Sequence, residues 1–65
     1  MQKYIERMKT ELTELIGRIN RAEKVIDNPP FDSDPNGIDL LKKQVRAMRV
    51  YQEVLKQRID YEVNK

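Results

Sequence analysis

An arginine, a tyrosine and a glutamine on one apolar segment are the residues of this chain best suited to chemistry. Arg58 lies one turn beyond Val54 and two turns beyond Tyr51, so in a helix at about 100° per residue the three share a face. Gln44, Gln52 and Arg58 all project within the wide apolar arc of LLKKQVRAMRVYQEVLKQRI, residues 40–59. The planar guanidinium of Arg58 suits a phosphate, and the ring of Tyr51 can stack on a base. The amide of Gln44 offers a donor and an acceptor that match a purine edge. Each also has a plainer reading. Arg58 can be an ion-paired, stacked interface residue, and Gln44 can bridge two backbones.

A second basic line runs along the first half of the chain. Lys3 and Arg7 are four residues apart and Arg18 and Arg21 three apart, on neighbouring parts of one helix face. A solvated charged face explains this line more simply than a ligand does. Glu14 lies one turn before Arg18 and is placed to pair with it. Arg46 and Arg49 point away from the apolar seam, with Glu53 in reach of either. Glu23 projects close to that seam and needs a basic partner, with Arg58 one candidate in an assembled state.

The residue types that are missing exclude more than those present. The chain has neither His nor Cys, so the commonest general base and the strongest nucleophile are both absent. A soft or borderline metal site is disfavoured for the same reason, and no Gly-rich phosphate loop occurs. Asp27, Asp32, Asp34 and Asp39 cluster around a turn-rich segment, where caps and turns use Asp routinely. The expectation is a non-enzymatic protein with no catalytic residues, no cofactor and no metal.

The elements that position these residues follow from the apolar spacing. Met1, Ile5, Met8, Leu12, Leu15, Ile19, Ala22 and Ile26 alternate in fours and threes, a repeat that marks left-handed helix packing. It predicts a first helix over about residues 2–27, with Tyr4, Ile16 and Val25 flanking its seam and Gly17 on the polar side. Asn28, Pro29 and Pro30 stop it. The hinge, residues 28–37, carries Phe31 as its one large apolar residue, expected to anchor it. Asp34 and Pro35 form a plausible N-cap and first helical position, and Gly37 makes a later start near Asn36 equally credible. The second helix is placed over about residues 38–62. Two helices of similar length on a short connection fold back antiparallel. The fold class is therefore all-α, a single two-helix hairpin over residues 1–65.

Helix 2 is too apolar for one neighbour. Leu41, Val45, Met48, Leu55 and Ile59 form one stripe, and Leu40, Ala47, Tyr51, Val54 and Tyr61 form a second beside it, widened by Val50. The two cover roughly 220° of the helix, against a little over 100° for a one-sided surface helix. One intramolecular partner covers only part of that. The chain is therefore expected to assemble as a symmetric helical homo-oligomer, with an even number of copies favoured because two-fold interfaces are commonest; a hexamer is among the options.

Size and charge agree with that expectation. At 65 residues the chain is near the lower limit for a self-sufficient core, and it lacks the residues for disulfides or structural zinc. Lys and Arg number 13 against 11 acids, a net charge of +2. That is far from the strongly basic character of many nucleic-acid binders, so a nucleic acid polymer is not the expected partner. No run is apolar enough to span a bilayer and no signal-type segment opens the chain. A soluble protein of the cytoplasm is expected.

The pattern LL-x-x-QV-x-AM-x-x-Y-x-x-x-L-x-x-RI, from Leu40 to Ile59, resembles the second helix of a family of small phage proteins named after a crAss-like phage protein. The stretch AEKVIDNPPF, from Ala22 to Phe31, resembles the end of that family's first helix and its hinge. These hairpins are similar in turn to the hairpin of phage anti-CBASS and anti-Thoeris sponges. The resemblance implies a symmetric oligomer in the host cytoplasm that sequesters a cyclic nucleotide immune messenger without degrading it. On that reading Arg58, Tyr51 and Gln44 contact the ligand, and Arg18 or Arg46 closes the pocket from a neighbouring subunit. The alternative is a protein-binding hairpin that inhibits or adapts a host protein through the same exposed stripe.

Overall fold

The turn chemistry of the hinge sets where both helices end. The computed structural model describes residues 2–65, with α1 spanning Gln2–Asp27 and α2 spanning Pro35–Asn64. Met1, assigned above to the first seam, lies outside the described residues. After Asn28, whose N–H still donates to the Lys24 carbonyl at 3.0 Å, Pro29 and Pro30 offer no N–H to continue the ladder. The Ser33 amide and hydroxyl then both donate to the Pro30 carbonyl, at 3.0 and 2.7 Å.

Asp34 starts α2 from an extended backbone, φ −92° and ψ 131°. Its carboxylate accepts from the Asn36 N–H at 3.2 Å, and its carbonyl accepts from the Ile38 N–H at 3.1 Å. Pro35 fills the first helical position, where an absent N–H costs nothing. The helix therefore begins before residue 38 and before Gly37, because the cap and the proline outweigh the glycine. It ends at Asn64, whose side-chain amide donates to the Asp60 carbonyl at 2.9 Å.

The helices pack side by side into a rod of 48 × 15 × 13 Å. Met8, Leu15, Ile19, Val45, Leu55 and Ile59 are buried between them, with Ile5, Leu12, Ala22, Ile26 and Met48 packed against that core. Two cross-helix contacts, Tyr4 to Arg58 and Glu23 to Arg49, tie the antiparallel helices together on the two flanks of the seam. Gln52 takes a seam position on α2 between Met48 and Leu55 and is half-buried. No buried side-chain nitrogen or oxygen among the described residues lacks a hydrogen-bond partner.

Phe31 does not anchor the hinge. It is fully exposed, because the hinge projects past the end of the seam and nothing folds back to meet it. Gly17 is different. A Cβ there meets only the tip of the Arg21 side chain, at 3.3 Å, and a flexible guanidinium can move aside. Gly17→Ala is therefore expected to raise stability by about 1 kcal/mol through helix propensity, read as a higher urea midpoint at unchanged slope.

The second stripe of α2 is left bare. Leu40, Val54 and Tyr61 are 65%, 47% and 67% exposed, and Tyr51 44%. Taken with Gln44, Ala47 and Arg58, these residues form a run 40, 44, 47, 51, 54, 58, 61, again alternating in fours and threes. Helix α2 thus carries two runs of the same period, the packed seam that α1 covers and this exposed second seam.

Candidate functional site

The side chains on the bare seam fall into two rows. Leu40, Ala47, Val54 and Tyr61 make an apolar row facing away from α1. Gln44, Tyr51 and Arg58 make a polar row between it and α1, at seven-residue steps, about 10 Å apart along the helix. On α1 the matching flank carries Tyr4, Glu11, Arg18 and Val25, also seven apart. Tyr4 meets Arg58 on this flank, and Glu11 and Arg18 follow Tyr4 along α1 as Tyr51 and Gln44 follow Arg58 along α2. Four of the five residues singled out from the sequence, Arg58, Tyr51, Gln44 and Arg18, therefore lie on one flank of the hairpin, and all four are exposed.

The fifth does not join them. Arg46 lies on the opposite flank, where with Glu23, Ile26, Asp27, Lys42 and Val45 it lines a shallow depression near the hinge. Any role for it beside Arg58 has to come from a different copy of the chain. A second depression, wider and more open, lies on the outer face of α1 between Lys3, Glu6, Arg7, Thr10, Glu11 and Glu14. Long exposed side chains of one helix form it without any contribution from α2. Two bases and three acids line it together, so no strong ligand charge is favoured there.

Arg58 is the most constrained member of the row. Its Nη2 donates to the Tyr4 hydroxyl, and its guanidinium carbon sits 5.9 Å from the Tyr4 ring centroid, within cation–π range. Gln44 reaches along its own helix, its Nε2 lying 3.9 Å from the Met48 sulfur, a weak contact that a better acceptor would displace. Tyr51 is 44% exposed. Sequence reasoning placed Tyr4 beside the seam but not in the site. The signal was present: Tyr4 and Arg58 hold corresponding flank positions of the two repeats, and such positions face each other in an antiparallel pair.

The charged residues sort differently from expectation. Arg49, expected to point outward with Glu53, instead crosses the hairpin to Glu23. A flank position lets a long side chain reach over the seam. Within the hairpin Glu23 therefore finds Arg49 rather than Arg58, which lies toward the opposite end of the rod. The pair is well exposed, 54% and 37%, so it contributes under about 1 kcal/mol. Glu14 and Arg18 form no ion pair among the described residues; an exposed pair one turn apart is worth only about 0.3–0.5 kcal/mol. No cluster of three or more His, Cys, Asp or Glu able to hold a metal ion occurs among the described residues, and no helix is long and apolar enough to cross a membrane.

Comparison with curated proteins and with solved structures yields no match. Comparison with family models does: the model described as Sequestin matches residues 2–61, both helices and the whole hinge. The matched stretch contains every residue on which the resemblance to a small sponge-type hairpin family rests, and the two agree. This helical hairpin belongs to the Sequestin family.

Proposed function

We propose that this protein is a phage anti-defence sponge, which captures a cyclic nucleotide immune messenger between copies of itself and does not cleave it. The observation that carries this reading is the second seam of α2, bare of partners and lined by Gln44, Tyr51 and Arg58. The family's name, Sequestin, points to sequestration, and the resemblance to anti-CBASS and anti-Thoeris sponges supplies the ligand class. The apolar row Leu40, Ala47, Val54 and Tyr61 joins one hairpin to the next with two-fold symmetry. Ala47, the smallest member, leaves room beside the polar row.

A single hairpin holds its polar groups about 10 Å apart, too far to close around one phosphate or one base. Copies from two chains bring them together. Arg58 then clamps phosphate, Tyr51 stacks on a base, and Gln44 contacts a base edge, with Arg18 adding charge along the same flank. Arg46 closes the pocket from a third copy if the assembly is larger than a dimer. The chemistry required is tight binding with slow release, and no acid, base or nucleophile has to act.

The test is to incubate the protein with cyclic oligonucleotides and cyclic ADP-ribose isomers, separate the protein by filtration, denature it and analyse the released ligand. Recovery of one class of nucleotide, intact and in stoichiometric amount, is the expected result. Recovery of a cleaved product makes the protein an enzyme and contradicts the proposal. Retention of none contradicts it as well and favours the host-protein reading.

A further inference from the structure

Two arginines of α2 reach across to α1, and their partners differ in charge. Arg49 meets the Glu23 carboxylate, which compensates it. Arg58 meets Tyr4, which supplies a hydrogen bond and a ring face but no countercharge. The acid one turn further along α2, Glu62, is engaged by Lys65 at 3.2 Å. The first turn of α1, beside Arg58, contains no acidic residue, so the partial positive charge of its free N–H groups is not offset there.

A guanidinium carries five N–H donors in a rigid fork. Tyr4 engages one nitrogen, Nη2, leaving Nε and Nη1 without a partner among the described residues. A long side chain normally loses rotamer freedom when it binds. Arg58 has lost part of it already, to a partner that leaves its charge available.

We propose that Tyr4 is a positioning residue, which holds Arg58 ready to clamp a phosphate group and so separates a ligand-binding arginine from the structural Arg49. The inference deepens the sponge reading by naming the phosphate-bearing part of the site, and it rests on that reading for the identity of the natural ligand only. Removing the hydroxyl while keeping the ring frees the guanidinium to rotate. The expected loss is a few-fold to about tenfold in phosphate affinity, the scale of one immobilised side chain.

The experiment uses the isotope-labelled full chain, its arginine side-chain N–H resonances, and inorganic pyrophosphate as the probe. In the wild type, the Arg58 Nη protons should give separate signals, as a pinned guanidinium does, and should shift on titration at lower pyrophosphate than those of Arg49. In Tyr4→Phe the Arg58 signals should coalesce and the titration midpoint rise several-fold, with the helical circular dichroism and the oligomer mass unchanged. Tyr4→Ala, which also removes the ring, should raise the midpoint further. Averaged Arg58 signals in the wild type, or a pyrophosphate midpoint that Tyr4→Phe leaves in place, would overturn the inference. If Tyr4 controls Arg58 as described and no cyclic nucleotide is retained, the positioning role stands and the sponge reading falls.

Discussion

Leu55→Ala should abolish stable folding of the isolated chain, or come close to doing so. Leu55 is the one described side chain with no exposed surface, and it belongs to a core in which six of the described residues are buried. Truncating such a leucine costs about 2–5 kcal/mol, through lost burial and the cavity left behind. A domain of this size has on the order of 3–10 kcal/mol in total, so the change removes a large share of what holds the helices together. A rod two helices wide also has no third layer that can collapse into the gap. Urea denaturation followed by circular dichroism checks this, with Leu40→Ala as the companion. In a free hairpin Leu40 is 65% exposed and its truncation should be nearly silent. In an assembly built on the second seam it should cost 1 kcal/mol or more, on the order of a buried side chain's transfer energy. The contrast between the two variants therefore reports on folding and association separately. A Leu55→Ala protein as stable as the wild type would mean that the core lies elsewhere.

Val54→Asp is expected to break the assembly while leaving the intrahelical fold in place. Val54 is central in the apolar row of the bare seam and 47% exposed in the single hairpin, so a carboxylate there is well solvated as long as the chain is alone. Two-fold packing of that row buries the carboxylate without a basic partner and does so once per chain. An unpaired buried charge costs several kcal/mol, which corresponds to a weakening of association by more than about a hundredfold. Sedimentation velocity should show a discrete oligomer for the wild type and a monomer for Val54→Asp, with Val54→Leu still assembled. Since pocket and interface share the seam, ligand capture should disappear with the oligomer. An unchanged sedimentation coefficient would place the interface on another face.

What could be read in advance divides along physical lines. The first seam was legible because burial by a single partner imposes a strict repeat, and Met8, Leu15, Ile19, Val45, Leu55 and Ile59 lie in the core as that repeat requires. The apolar excess of α2 was equally legible, since Leu40, Tyr51, Val54 and Tyr61 are exposed in the hairpin. Seam spacing says little about long polar side chains at the flanks. Spacing alone points Arg49 outward, yet its long side chain carries it to Glu23, and Arg58 meets Tyr4. Both contacts depend on antiparallel register, which requires both repeats to be aligned rather than read one at a time. Phe31 departs from expectation for a different reason. A large apolar residue in a turn is expected to find a core, but the core of a two-helix rod stops where the helices stop. Chemical type singles out the site residues, and the fold gathers Arg58, Tyr51, Gln44 and Arg18 on one flank while sending Arg46 to the other.

The most direct measurement is native mass spectrometry of the purified chain, alone and mixed with cyclic oligonucleotides and cyclic ADP-ribose isomers. A discrete, even-numbered oligomer that gains a whole number of one nucleotide, and loses that gain in Arg58→Ala without losing subunits, is the predicted result. A monomer under every condition, or an oligomer that takes up no nucleotide, would contradict it.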